Sequence, residues 1–316
     1  MNAESSVIEM RQLTRSFGDL VAVDHLDLAI ERGEIFGLVG PDGAGKTTTL
    51  RLLAGIMQPT AGSASVVGHD VREQAEAIKH HIGYMAQQFS LYEDLTILEN
   101  LRFFADIYRV SAAERRERIP RLLQFSRLER FTARRAGRLS GGMQKKLALA
   151  CTLIHQPQVI YLDEPTTGVD PVSRREFWDI LGDLHLEGIT IVVSTPYMDE
   201  AERCSRVGLM FQGRLIACDA PAAIQNRIEG EMLEIRPDRL NGSAPALESL
   251  PGIHEVQTYG DMLHIFVDDA EQRIDAVRHT LADHGQQILW MRVTPPRMEE
   301  AFIHLVRKQA ALKARA

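Results

Sequence analysis

The chain has 316 residues, 45% of them hydrophobic, and a formal net charge of −7. That length suits one large or two smaller domains with a sizeable core, and the lack of a basic excess argues against general nucleic-acid binding. Without an uninterrupted apolar run of about 18 residues, nothing in the chain is expected to span a membrane. Cys151, Cys204 and Cys218 form no C-x-x-C pair and read as small buried residues of a reducing compartment. Residues 1–10 carry no charged-then-apolar secretory pattern. The expectation is a cytosolic chain; if it acts at a membrane, another polypeptide supplies the spans.

Residues 7–31 alternate apolar and polar side chains and read as antiparallel strands around a turn at Phe17-Gly18-Asp19. Phe17 suits either an adenine-stacking site or the core. Next comes Ile35–Val39, a short apolar run read as a buried strand. It leads into Gly40-Pro41-Asp42-Gly43-Ala44-Gly45-Lys46-Thr47-Thr48, which matches the phosphate-binding pattern G-x-x-x-x-G-K-[ST]. Leu50, Leu53, Ala54 and Met57 then mark one face of a helix. Strand, glycine turn and helix is the context this motif requires. Glycines let backbone N–H groups turn inward around a polyanion, and the helix N-terminus adds partial positive charge. In such a loop Lys46 reaches the β- and γ-phosphates, and the Thr47 hydroxyl ligates Mg²⁺.

Residues 59–62 read as a turn, 65–67 as a strand and 71–79 as a helix. The strand 82–85 ends near Gln87, a position suited to touching Mg²⁺ or water, or to a plain loop glutamine. Leu95, Leu98, Leu101, Phe104 and Ile107 recur at helical spacing. From Arg109 to Arg138 there are ten arginines and three acidic residues. This implies a helical subdomain with a basic face, either simply solvated or set near anionic lipid or an acidic partner. Pro120 is expected to kink or break its helix.

Ser140-Gly141-Gly142 precedes a second helical pattern, Met143, Leu147, Ala150, Cys151 and Ile154, and forms another anion-ready helix N-terminus. Val159–Asp163 is a buried strand ending in Asp163-Glu164. In a P-loop protein an acid at such a tip holds Mg²⁺, and the next carboxylate can orient or deprotonate water. Asp170 as N-cap and Pro171 at the first helical position open the next helix. Residues 189–194 form another buried strand, so strands alternate with helices as in a mostly parallel sheet. Beyond 231, three strands, at 232–235, 262–267 and 288–291, and two helices, at 270–284 and 297–308, read as a small α+β appendage, with 241–245 as a loop.

The ordered set of P-loop, Gln87, Leu139-Ser140-Gly141-Gly142, Asp163-Glu164 and Gly168-Val169-Asp170 resembles the ATP-binding cassette of ABC transporters. The match covers roughly residues 7–225. Residues 85–87, 91–96 and 197–202 look like the branch of exporters handling drugs, lipids and polysaccharides. The resemblance implies an α/β P-loop cassette over 1–228: a mostly parallel core sheet, an antiparallel β subdomain and a helical subdomain inserted at about 89–155. An accessory α+β domain would occupy 229–316. It implies ATP and Mg²⁺ as cofactors, with Phe17, residues 40–48, Ser140 to Gly142 and Asp170 around nucleotide. Thr47, Gln87 and Asp163 would hold the metal, and Glu164, Gln87 and Lys46 would serve catalysis. It implies a head-to-tail dimer with ATP between cassettes, a membrane-spanning permease docking near Gln87 and residues 89–100, and a location on the inner face of the cell membrane.

Three positions depart from the family pattern. Asp42 replaces an asparagine, Lys145-Lys146 replaces a glutamine-arginine pair, and Pro196 replaces a histidine that contacts the γ-phosphate. The last implies slow turnover at this site, or a nucleotide-binding regulatory half of an asymmetric pair. A non-transport cassette acting on ribosomes or DNA fits poorly. One P-loop is present, and the gap of about 90 residues before Ser140 holds no sustained heptads.

Overall fold

The computed structural model describes residues 6–88, 91–227, 230–240 and 242–315. The boundary expected at 228–229, residues 89–90 of the expected permease groove and position 241 lie outside that set. The chain divides into Met1–Pro221 and Ala222–Ala316.

In the first unit, β1 (Ser6–Phe17) and β2 (Leu20–Glu31) pair antiparallel around Gly18, whose φ of 57° suits the tight turn. The chain continues through β3 (Ile35–Val39), α1 (Lys46–Leu53), β4 (Ala61–Val66), β5 (His69–Asp70), α2 (Ala75–His81) and β6 (Ile82–Met85). Next come α3 (Ile97–Ile107), α4 (Ala112–Phe125), α5 (Gly141–Leu153), β7 (Val159–Asp163) and α6 (Pro171–Leu186). The unit closes with β8 (Thr190–Thr195), α7 (Met198–Ala201), β9 (Arg206–Phe211) and β10 (Arg214–Asp219); α8 (Pro221–Gln225) follows.

Two sheets result. One is antiparallel, in the order β2-β1-β4-β5; the other runs β10-β9-β3-β8-β7-β6. Only the β9–β10 pair of the second is antiparallel. All residues of β3, β7 and β8 are buried. Strands covered on both faces read as continuous apolar runs, which is why the pattern was legible. Each fully buried aliphatic side chain there contributes about 1.5–3 kcal/mol of transfer free energy. The helices α3, α4 and α5 share a separate apolar cluster that includes Ile97, Leu101, Ile119 and Leu147.

Several expectations are corrected. Helix α1 stops at Leu53, because Gly55 turns left-handed with φ 65°; Met57 packs on the core from beyond the helix. The expected turn over 59–62 is already strand from Ala61, because β1 pairs there, Thr14 with Ala61. The expected helix over 71–79 forms later, at Ala75–His81. Pro120 does not break α4. It is exposed, so the Arg116 carbonyl it leaves without a helical donor can be solvated. Four of the ten arginines of residues 109–138 are ion-paired, Arg115, Arg118, Arg121 and Arg127 with Asp106, Glu114, Glu187 and Glu176, which reduces the basic surface there without removing it.

The second unit contains β11 (Glu231–Pro237), α9 (Ala244–Glu248), β12 (Ile253–Tyr259), β13 (Met262–Val267), α10 (Ala270–Asp283), β14 (Ile288–Thr294) and α11 (Met298–Arg315). Its strands form one antiparallel sheet in the order β12-β13-β11-β14. Leu233, Ile235, Leu263, Ile265, Val277 and Leu281 make its core. Strand β12 and helix α9 were not expected; α9 forms where the sequence reads as loop.

Candidate active site

Strand β3 delivers the chain to Gly40, where the backbone passes against β9. A Cβ at Gly40 would lie 2.2 Å from the Met210 carbonyl oxygen, so only glycine fits. Gly45 caps α1 with φ 102°, and a Cβ there would lie 2.3 Å from the Ala22 carbonyl oxygen. Between them the loop folds back so that Lys46 Nζ donates to the Gly40 and Pro41 carbonyls at 2.8 and 3.0 Å. Phe17, Leu20, Ala22, residues 43–48 and Glu164 line an open cleft of about 270 Å³. Phe17 is 42% exposed, with the Arg15 guanidinium 4.5 Å from its ring centre, so it is a surface platform and not core. Asp42 is exposed at the loop tip.

The tip of β7 closes the cleft. Thr47 Oγ1 donates to Asp163 Oδ1 at 2.9 Å, and Ser194 Oγ, on the neighbouring β8, donates to the same oxygen at 2.6 Å. Tyr84 donates to the other carboxylate oxygen at 3.3 Å. Burial, and then the Asp163 carboxylate, push the Tyr84 hydroxyl pKa up, so it remains a donor. The hydroxyl and carboxylate oxygens of Thr47 and Asp163 form a hard-oxygen donor set, which fits Mg²⁺.

Glu164 follows with φ 46°, a left-handed conformation costing about 1–2 kcal/mol for a residue with a Cβ. Its N–H donates to the Ser194 carbonyl at 3.1 Å. Its carboxylate is 3.4 Å from Lys46 Nζ and accepts Gln87 Nε2 at 2.8 Å; Thr167 Oγ1 is 3.4 Å away. Lys46 and Glu164 are 4% and 7% exposed, so removing either charge would strand the other, at about 3–5 kcal/mol. Thus Lys46, Thr47, Gln87, Asp163 and Glu164, spread over more than a hundred residues of sequence, meet in one cluster.

Ser140, Gly141, Gly142 and Asp170 are not in this cluster and do not line the cleft. Ser140 caps α5, accepting the Met143 N–H at 3.3 Å, and remains exposed with Gly141. Gly142 packs so closely on α6 that a Cβ would lie 2.5 Å from Ser173. Asp170 caps α6 through Val172 and Ser173. Beside Gln87 lies a second, more polar cleft lined by Gln87, Gln88, Leu91, Glu93, Ala136, Gln144, Lys145 and Ala148. Lys145 Nζ donates to the Gln87 carbonyl at 2.9 Å, and burial lowers its pKa. Sequence reasoning missed Ser194, Tyr84 and this use of Lys145. The adjacency of β6, β7 and β8 would have exposed the first two.

A Nod factor export ATP-binding protein I of Cupriavidus pinatubonensis is 36% identical over 309 residues, covering 97% of this chain and 93% of that protein. The chain belongs to the ABC transporter family. The family model for ABC transporters itself matches residues 23–167. A probable multidrug ABC transporter ATP-binding protein of Escherichia coli K12, YbhF, is 46% identical over 216 residues, 68% of this chain. The chain spans only 37% of the length of that relative. Among solved structures, an ATP-binding subunit of an ABC transporter superposes with a TM-score of 0.64 at 30% identity, covering 70% of this chain and 93% of that one. A dimeric, post-hydrolysis cassette bound to ADP and Pi superposes at 0.61 with 29% identity, covering 67% of this chain and 98% of that one. The architecture of this ABC cassette is therefore the expected one, a P-loop α/β core with an antiparallel sheet and a helical cluster. No helix among the described residues is long and apolar enough to cross a membrane.

Proposed function

We propose that this chain is the ATP-binding and hydrolysing subunit of a membrane exporter of the multidrug, lipid or polysaccharide type. The observation that carries the reading is the meeting of Lys46, Thr47, Gln87, Asp163 and Glu164 at one cleft. The names of the relatives, multidrug transporter and Nod factor exporter, support the export direction.

In this reading the adenine stacks on Phe17 and the phosphates lie in the loop 40–48. Lys46 exchanges its carbonyl partners and Glu164 for the β- and γ-phosphates. Thr47, Asp163 and Gln87 would hold Mg²⁺, which when bound would supply positive charge against the phosphate oxygens. Glu164, freed from Lys46, accepts a hydrogen bond from the attacking water and takes its proton. Gln87 keeps the Glu164 carboxylate in place. Ser140–Gly142 and Asp170, exposed or at helix starts away from the cleft, serve a second cassette's nucleotide in a head-to-tail dimer. The cleft at Gln87, Gln88 and Lys145 receives a cytoplasmic segment of a separate permease, and residues 229–316 act as an accessory domain. The working location is the cytoplasmic face of the membrane.

Pro196 supports a second reading. It gives the loop after β8 no donor towards a γ-phosphate, as suits a slow or regulatory site in an asymmetric pair. Steady-state ATP turnover by the chain, alone and with its membrane partner, against Glu164→Gln separates the two. Turnover abolished by that change makes this site a working motor. Turnover that survives it assigns hydrolysis to another cassette and leaves this one regulatory.

A further inference from the structure

A buried carboxylate outside the cleft joins the turn that carries Glu164 to the end of β8. Glu200, in the short helix α7, is only 1% exposed. Its Oε1 accepts Thr166 Oγ1 at 2.5 Å and its Oε2 accepts Thr195 Oγ1 at 2.7 Å. Arg174 Nε, from α6, lies 3.6 Å away, and the same guanidinium stacks 4.3 Å from the Tyr197 ring centre. A charge this deeply buried persists only where hydrogen bonds and a counter-charge compensate it. Here two hydroxyls and one arginine do so.

The two hydroxyls come from the segments that matter. Thr166 stands two residues beyond Glu164, and the next residue, Thr167, touches the Glu164 carboxylate. Thr195 accepts the Gly40 N–H on its carbonyl at 3.3 Å. Glu200 therefore clamps the turn bearing Glu164 to the strand end that supports the phosphate loop. The clamp carries more weight in this chain because Pro196, directly after Thr195, contributes neither an N–H nor a polar side chain.

We infer that Glu200 is a positioning residue for Glu164, acting through Thr166; the inference rests on the ATPase reading above. Glu164 is held left-handed, with φ 46°. A residue in such a conformation stays there only where its surroundings over-determine it. Its own constraints are the Ser194 carbonyl and hydroxyl on its N–H, the Thr167 N–H on its carbonyl, and Lys46, Gln87 and Thr167 Oγ1 on its carboxylate. The Thr166–Glu200 bond, two residues along the turn, adds a further one that fixes the turn itself. Releasing it lets the turn relax and moves the Glu164 carboxylate. A displacement of about 1 Å at a reacting group costs about a hundredfold in rate.

The test uses the full chain in whichever assembly shows turnover that Glu164→Gln abolishes. Thr166→Val removes the hydrogen bond without touching the buried carboxylate; Glu200→Gln changes the carboxylate itself. Each is expected to lower kcat by roughly tenfold to a hundredfold with KM for ATP within about twofold of wild type. Because both act on the Thr166–Glu200 contact, Thr166→Val by removing the donor and Glu200→Gln by removing the charge that strengthens it, the double variant should be no slower than the slower single. Unchanged kcat, a raised KM with intact kcat, or losses that multiply in the double variant would each overturn the inference. Should Glu200→Gln fail to fold, Thr166→Val alone decides through the same split of kcat from KM. Failure of the underlying reading shows separately, as wild-type turnover indifferent to Glu164→Gln.

Discussion

Gly40→Ala is the sharpest perturbation of the phosphate loop. The new Cβ would meet the Met210 carbonyl oxygen at 2.2 Å and Ala44 Cβ at 3.2 Å. Ordinary contact needs at least about 1 Å more from the oxygen. The oxygen cannot retreat easily, since β9 is paired with β3 one residue away, Val39 with Leu209. Overpacking of this kind costs about 1–3 kcal/mol, and here it falls on backbone, so about 2–4 kcal/mol is expected. At about 2–4 °C per kcal/mol for a unit of this size, the cassette should melt about 5–15 °C lower. The Gly40 carbonyl also holds Lys46, so ATP affinity should fall at least about tenfold, or 1.4 kcal/mol. Gly43→Ala is the matched control. Gly43 has φ 76° and no atom within 4 Å of where a Cβ would stand, so it bears only the left-handed cost of about 1–2 kcal/mol. Thermal unfolding followed at Trp178, buried in the cassette, and equilibrium ATP binding measure both variants. If Gly40→Ala melts within a degree of Gly43→Ala, close approach to β9 is not what requires glycine there.

Phe17→Ala should weaken ATP binding by about 1–3 kcal/mol, the worth of one stacked base, and leave inorganic triphosphate binding unchanged; competition binding with the two ligands checks this. Asp170→Ala should destabilise the cassette by removing the cap that Val172 and Ser173 use, read as a lower melting temperature. In the second unit, Arg273 grips Asp268 through two nitrogens at 2.8 and 2.7 Å and lowers the Asp268 pKa to about 2. The folded value lies below the unfolded value of about 3.9, so this stabilisation is present above pH ~4 and is lost as pH falls towards ~2. Arg273→Ala should flatten that part of the acid-unfolding curve. Burial pushes the Cys204 thiol up to about 12, so at pH 8 it should resist a thiol reagent until the protein is unfolded, as peptide mapping would show.

The parts legible in the sequence are those where chemistry demands a residue type at a fixed local spacing. Gly40, Gly45, Lys46 and Thr47 are confined to one turn, and Asp163-Glu164 end one strand, so pattern alone locates them. The buried strands β3, β7 and β8 are equally plain because both faces are covered. Legibility fails where a neighbour distant in sequence decides. Strand β9 carries Gly208, whose Cβ would lie 3.0 Å from the Phe36 ring; a glycine mid-strand weakens the local signal and is explained only by that packing. Strand β12 and helix α9 likewise acquire their apolar faces from β13 and α10, around Val256 and Leu247. Composition exposed the arginine excess of residues 109–138 but not its pairing, since Glu176 and Glu187 arrive from α6 and its C-terminal end.

The same division runs through the site. Ser194 and Tyr84 bond Asp163 only because β8 and β6 flank β7 in the sheet. Glu200 meets Thr166 across 34 residues for the same reason: the chain must leave β7, cross α6 and return in β8 before α7 can fold back. A parallel sheet aligns the carboxyl ends of its strands, so groups at those ends become neighbours whatever their separation in sequence. Local pattern can find each strand end separately. Only the order of the strands shows which ends can share a buried carboxylate, and so which residues can hold Glu164 in its strained position.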